Sequence, residues 1–290
     1  MITVFAQTDI GKVRRGNEDH FLVGNLTSEH IEALSHPQDF PLDENGLVLM
    51  VSDGMGGAAA GEVASALAVK TVKEYLSQEV FDESSPAPAA VPLGQRLGEA
   101  LQAANHTIIE NARHQPALQG MGATATLAGI LGGQAFIAQI GDSRAYLLRQ
   151  GRIWQLTRDQ SFVNQLVETG RITEEEAEVH PRRNIILQAL GAEEQLKVAL
   201  SAVKLRRDDY LLLCTDGLSG VLKKQELAQI VFSAPDPASA CQELIREANR
   251  RGGPDNITVV LANFRGAEFV PPREAEEPAI EIISEFSESE

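Results

Sequence analysis

The sequence predicts an α+β fold built on a largely antiparallel sheet. Three observations carry this. Between Gly120 and Gln150, short apolar runs alternate with glycine turns, a meander that pairs neighbouring strands antiparallel. Two segments before the meander and two near the end carry apolar residues at helical spacing. The chain has 290 residues and is 43% apolar, ordinary for a protein that buries a sizeable core.

The elements follow in order. Thr3 to Asp9 alternates and reads as a first strand, ended by Gly11. Residues 25–45 are polar and contain Pro37 and Pro41, so a surface loop is expected, with a helical turn near Glu29–Leu34. Leu47-Val48-Leu49-Met50 reads as a buried strand that stops before Asp53 and a glycine-rich turn. Gly61 to Leu76 is helical, with Ala64, Leu67, Ala68, Val72 and Tyr75 on one face. Ser77 to Gln95 is a Pro/Ala/Ser surface linker, and Leu97 to Ala112 is a second amphipathic helix.

The meander supplies strands at 124–130, 134–140 and 145–148, turned at Gly132-Gly133, Gly141-Asp142 and Gln150-Gly151. Between Thr157 and Gly191 come short helical pieces, Ser161–Glu168 and Thr173–Val179, the second with a Thr173/Glu176 capping box. Such a segment between strands suits a mobile flap. Strands at 198–203 and 210–214, helices at 218–232 and 237–251, and a strand at 257–262 complete the domain. From residue 266 to 290 the periodicity stops, and a disordered acidic tail is expected.

Net charge is -16 and the pI is near 4.8, which argues against nucleic acid as a partner and suits a protein that collects divalent cations. Part of the acidity lies in the tail. Two cysteines, Cys214 and Cys241, make no metal motif or disulfide framework. No apolar run reaches membrane-spanning length, so a cytoplasmic protein is expected.

Carboxylates recur at strand ends and glycine turns: Glu18 or Asp19, Asp53, Asp142, Asp216 and Asp255. One Asp-Gly turn is a weak signal, but the construction repeats. Adjacent strand residues face opposite ways, so Glu18 and Asp19 cannot both bind one ion alike. An all-oxygen set favours Mg²⁺ or Mn²⁺, with the Gly54 or Gly56 carbonyl a further donor. Paired hard cations suit hydrolysis of phosphate esters. Arg14 or Arg15 is placed to bind the phosphate.

Several stretches occur together in a fixed order: Thr8-Asp9-Ile10-Gly11 with Arg14 and Asn17-Glu18-Asp19; Val51 to Gly57 with Gly61-Glu62; Gly122-Ala123-Thr124; Gly141-Asp142-Ser143-Arg144; Thr157 to Ser161; Cys214-Thr215-Asp216-Gly217-Leu218; and Gly253-Pro254-Asp255-Asn256-Ile257-Thr258. Spanning about residues 2–264, they resemble the metal-dependent serine/threonine protein phosphatases of the PPM (PP2C-like) family, in its short bacterial form.

The resemblance implies a four-layer α-β-β-α sandwich over residues 1–265, with the flap at about 157–191 and two Mn²⁺ or Mg²⁺ ions at one edge. Asp53 would bridge the ions. Asp216 and Asp255 would hold the first, Glu18 and the Gly54 carbonyl the second. Asp142 would take a third, weaker ion, and Asp19 would order water. Arg14, rather than Arg15, matches the phosphate-binding arginine, and Asn256 a polar neighbour.

Implied partners are phosphoproteins made by a Ser/Thr kinase, handled by a monomer. The alternative is a non-catalytic phosphoprotein-binding module, whose signature would be lost ligands; none of the matched acids is lost. Three positions depart from the family: Met55 where animal relatives have a proposed acid, a His; Gln160 where His is common; and Gln188 where Arg is common.

Overall fold

Alternation along single strands explains the layering. Strand β1 (Ile2–Asp9) turns Ile2, Val4 and Ala6 to one side and Phe5 to the other. The computed structural model describes residues 1–25, 30–31, 36–42, 46–56, 60–78 and 93–285. Within it, β5 (Leu47–Met55) sends Leu47, Leu49 and Val51 to the same central layer, and Val48 and Met50 outward. Strand β13 (Ile257–Phe264) does likewise, with Val260, Ala262 and Phe264 inward and Ile257, Val259 and Leu261 outward. Strands apolar on both faces must be covered twice, which requires two sheets face to face and helices outside.

That arrangement forms. Among the described residues, the first sheet runs β10 (Arg152–Gln155), β9 (Arg144–Arg149), β12 (Tyr210–Cys214), β13, β1, β4 (Gln38–Phe40). The second runs β14 (Ile280–Ser284), β11 (Ala199–Lys204), β8 (Gln134–Ile140), β7 (Ala125–Leu131), β5, β2 (Asp19–Gly24), β3 (His30–Ile31), with β6 (Gly122–Ala123) pairing the end of β5. Every pairing is antiparallel. Helices α1 (Ala60–Gln78) and α2 (Leu93–His114) cover the second sheet through Ala64, Ala68, Leu97 and Leu101. Helices α5 (Asp216–Ser219), α6 (Lys224–Ser233) and α7 (Pro237–Arg250) cover the first through Leu218, Leu227 and Leu244. The fold is therefore the expected α-β-β-α sandwich.

Residues 157–191 carry α3 (Phe162–Glu168) and α4 (Glu174–Glu178). The Thr173/Glu176 capping box is present, each side chain accepting the other's backbone N–H at 3.2 and 2.9 Å.

Several expectations need correction. The helix expected at 218–232 is two, α5 and α6, because the chain turns at Gly220 and restarts at the capping residue Lys223. Helices α1 and α2 extend to 78 and back to 93, shortening the expected linker; what is left of it lies outside the described residues. Within the loop expected at 25–45, Gln38–Phe40 pairs with β1 and His30–Ile31 with β2, while most of the proposed 29–34 turn lies outside the described residues. Asp53 lies inside β5 rather than past its end, since Gly54 and Met55 pair with the two-residue β6.

The acidic end is the largest departure. Instead of being disordered from 266, it straps across the domain as far as residue 285. Phe269, 1% exposed, packs edge-on against Phe264 with ring centroids 5.4 Å apart. Glu276 meets Arg206 at 2.8 Å and Arg149 at 3.7 Å, and Glu277 meets Arg152 at 3.1 Å. Ile280–Ser284 then adds as the edge strand β14 on β11. Composition alone read as disorder because the partners, an apolar slot and three arginines, lie far away in sequence. Ending the chain at residue 278 strips β11 of its outer neighbour, leaving only β8, and is expected to lower the melting temperature by a few degrees. An unpacked tail predicts no change in a thermal melt.

Candidate metal and phosphate site

The acids meet where the two sheets part. Asp19 and Asp53 stand directly opposite one another in the β2–β5 pair, so both side chains face the same way. Asp216 opens α5 at the end of β12, and Asp255 lies in the turn before β13. Asp142 sits in the β8–β9 turn, where the chain crosses from the second sheet to the first. Glu18 precedes β2.

Local hydrogen bonds fix Asp53, Asp19 and Glu18. The Asp53 N–H donates to Thr124 Oγ1 at 3.0 Å, and the Thr124 N–H donates to the Asp53 carbonyl at 2.8 Å. Thr215 and Thr258 donate their hydroxyls to Asp19 Oδ2 at 2.8 and 2.7 Å. Asn256 accepts the Glu18 N–H at 2.8 Å and donates to the carbonyls of Ile10 and Gly16 at 3.0 and 2.9 Å. It thereby stitches the loop carrying Arg14 to the turn carrying Asp255. Gly54 has to be glycine: a Cβ there would lie 2.0 Å from the Gly61 carbonyl oxygen.

Negative charge is concentrated and only partly compensated, by Arg14 and Arg144. Burial, then Asp216, Asp19, Asp142 and Asp255, pushes the Asp53 carboxyl well above its ordinary value. Burial and then Asp255 raise Asp216, against partial relief from Asp53, Arg14 and Arg144. Burial, Asp216 and Asp159 raise Asp142 against the partial relief of Arg144. Asp19 is raised to about 7, chiefly by burial and against its two threonine hydrogen bonds.

The donor set fits divalent cations. Asp19, Asp142 and Asp216 each keep a buried Oδ1 that no protein group reaches, among the described residues. The Glu18 carboxylate and the Gly54 carbonyl converge: a Cβ on Gly61 would lie 2.6 Å from Glu18 Oε2 and 2.8 Å from the Gly54 oxygen. That cradle joins the two donors expected for one ion. Among the described residues, no three His, Cys, Asp or Glu side chains close by themselves into a set able to hold an ion. Uncompensated like charges repel, and Mg²⁺ in particular binds through one or two carboxylates and keeps several waters.

Arg14 reaches the cleft but is engaged. Its Nη2 donates to Asp255 Oδ2 at 2.7 Å, which raises the guanidinium pKa further. Its side chain is 48% exposed, so the pair is weakly held and the fork is free to exchange partners. Arg15 is exposed.

Gln139 was missed from the sequence, where its signal was a polar residue inside an apolar strand; Thr124, Thr215 and Thr258 stood in the matched stretches but were given no role there.

A pH dependence follows. Asp19 has a folded value near 7 against an ordinary 3.8. A raised carboxyl holds its proton more tightly in the folded state, so the penalty is absent below about pH 4, grows through the interval and is full above about pH 7. In chelator, Asp19→Asn is therefore expected to melt above the unsubstituted protein at pH 8, with the gap narrowing toward pH 5. A gap that widens on acidification contradicts this.

Comparison with known proteins agrees with this geometry. Residues 28–255 match the family model described as Protein phosphatase 2C. The chain is 36% identical over 255 residues to the serine/threonine phosphatase stp of Listeria welshimeri, covering 88% of this chain and 93% of that one. The crystal structure of the Mycobacterium tuberculosis serine/threonine phosphatase PstP/Ppp matches with TM-score 0.75 and 34% identity over 92% of this chain and 100% of that one. The catalytic domain of PstP in complex with two manganese ions matches with TM-score 0.72 and 34% identity over 92% of this chain and 100% of that one. The chain belongs to the protein phosphatase 2C family and is a serine/threonine protein phosphatase of the bacterial kind.

Proposed function

We propose that the cleft hydrolyses phosphoserine and phosphothreonine esters of proteins with two divalent cations, Mn²⁺ or Mg²⁺, and so reverses the work of a Ser/Thr kinase. The observation that carries this reading is the buried carboxylate set with its unreached Oδ1 atoms. The manganese-bound PstP domain supports the cation count. Bound cations would lower the pKa of water and offset charge on the phosphoryl oxygens.

The chain's own groups have distinct tasks. Asp53, central among the acids, would be shared by the two ions. Asp216 and Asp255 would help to hold one, and Glu18 and the Gly54 carbonyl the other. Asp142 would take a third, weaker ion. Arg14 leaves Asp255 and turns its planar fork to the phosphate, a match of geometry that a lysine cannot reproduce. Asp19, held by Thr215 and Thr258, orients water in the cleft. Met55 carries no proton to give to the leaving oxygen.

Among the described residues no helix is long and apolar enough to cross a membrane. Cys214 and Cys241 are buried free thiols, as suits a reducing cytoplasm.

The test is phosphate release from a panel of phosphoserine and phosphothreonine peptides. Release that requires added Mn²⁺ or Mg²⁺ is expected. No release with either cation, on peptides or on p-nitrophenyl phosphate, contradicts the proposal.

A further inference from the structure

The flap is tied to the Asp142 turn by buried glutamines. Gln160 opens the flap and Gln188 lies near its close; the Leu187 N–H donates to the Gln160 carbonyl at 2.8 Å. Gln160 Oε1 accepts the Gly141 N–H at 2.7 Å and the Gln188 Nε2–H at 3.0 Å. The Gly141 carbonyl in turn accepts from the Gln160 N–H at 3.0 Å and from Gln139 Nε2 at 3.1 Å. Gln139 also donates to the Ser143 carbonyl at 3.1 Å and accepts the Arg158 N–H at 3.0 Å. Gln188 is locked in place by a pair of bonds to the Lys197 backbone, at 2.9 and 2.8 Å. The three side chains are 1%, 2% and 9% exposed.

The turn they hold has little room to relax. Gly141 sits at φ +95, and a Cβ there would lie 2.7 Å from Thr124 Cγ2. Thr124 shares a hydrogen bond of 2.7 Å with the Ser143 hydroxyl and accepts the Asp53 N–H. Buried polar contacts therefore run without a break from the flap ends, past Asp142, to Asp53.

We propose that Gln160 and Gln188 are positioning residues for the phosphatase reaction: a neutral clamp that fixes both ends of the flap against the turn and so sets the aim of Asp142. The proposal rests on the phosphatase reading of the cleft. Neutrality matters. Glutamine supplies a donor and an acceptor from one side chain, so the clamp is satisfied without a charge. A cationic side chain at either position would add a fixed positive charge beside Asp142 and weaken its pull on a cation. This gives a physical role to both departures from the family pattern, which form one contact.

The test compares Gln160→Met, Gln188→Met and Gln160→His with the unsubstituted protein. Methionine keeps the volume and removes the clamp; an imidazole nitrogen still accepts the Gly141 N–H. Three quantities are read: stepwise Mn²⁺ affinities by calorimetry, hydrogen exchange over residues 141–144 and 158–168, and KM for a phosphothreonine peptide against KM for p-nitrophenyl phosphate.

Both Met variants are expected to keep the tightest Mn²⁺ step, weaken the weakest about tenfold, speed exchange in both segments, and raise the peptide KM about fivefold more than the small-substrate KM. Gln160→His restores most of each effect. Unchanged exchange, weakest affinity and KM ratio in the Met variants overturn the proposal. If one Met variant fails to fold, the other and Gln160→His decide. A wild-type protein with no cation-dependent turnover would sink the phosphatase reading instead. The exchange arm would still judge the clamp: faster exchange supports it and unchanged exchange overturns it.

Discussion

Asp53→Asn is expected to lower turnover of a phosphothreonine peptide by at least about a thousandfold while leaving the protein folded, equivalent to about 4 kcal/mol of transition-state stabilisation. The size follows from where Asp53 stands. It faces Asp19 across the β2–β5 ladder and carries the like-charge burden of Asp216, Asp19, Asp142 and Asp255. An amide keeps the shape and the backbone bonds to Thr124 but removes the charge shared between two cation positions. The same substitution relieves repulsion, so the metal-free variant is expected to melt no lower than its parent. Steady-state kinetics with circular dichroism checks both halves. Near-parental turnover in a folded variant contradicts the shared position assigned to Asp53.

Asp209→Ala is expected to have the largest effect on stability, about 3–5 kcal/mol, because it leaves a buried guanidinium without its counter-charge. Arg149 is 1% exposed and forks onto Asp209, itself 0% exposed, with bonds of 2.8 and 2.7 Å. The remaining carboxylate nearby, Glu276, is 3.7 Å away and belongs to the strap. Asp209 Oδ2 also accepts the Arg206 N–H at 2.7 Å, and Arg206 is the other partner of Glu276. Losing Asp209 therefore loosens the strap as well as the pair. Chemical denaturation measures the loss, and limited proteolysis should cut the variant within 267–285 first. A change below about 1 kcal/mol would show that water reaches Arg149.

Much of the catalytic cleft was legible because its acids are local signals. An Asp beside a glycine at the end of an apolar run can be read without knowing its partners, and Asp53, Asp142 and Asp216 are of that kind, while Asp255 was read from its Gly-Gly-Pro turn. The buried strands were legible for a similar reason, since β1 alternates weakly and β5 and β13 begin as apolar runs, but the two-sheet layering came only through the family resemblance.

What escaped depends on pairings between distant residues. Thr215 and Thr258 look like ordinary strand-flanking threonines until both turn out to bond Asp19, 196 and 239 positions away. Gln139 reads as a polar residue in a strand, yet it holds the two carbonyls that flank Asp142. Strand β6 is two residues long, too short for any periodicity, and that is why β5 seemed to end before Asp53. The strap was read as disorder because acidic composition was weighed without Arg149, Arg152 and Arg206, which neutralise it only once the sheets have formed. Arg14 bonds Asp255, a pairing 241 positions apart that no local pattern announces.

The central claim is that the acidic cleft is built for paired divalent cations, and calorimetric titration with Mn²⁺ tests it most directly. The unsubstituted protein should bind at least two ions per chain, and Asp53→Asn, still folded, should lose tight binding at both positions. A wild-type protein that takes up no Mn²⁺, or a variant that binds with unchanged stoichiometry and affinity, would contradict the account.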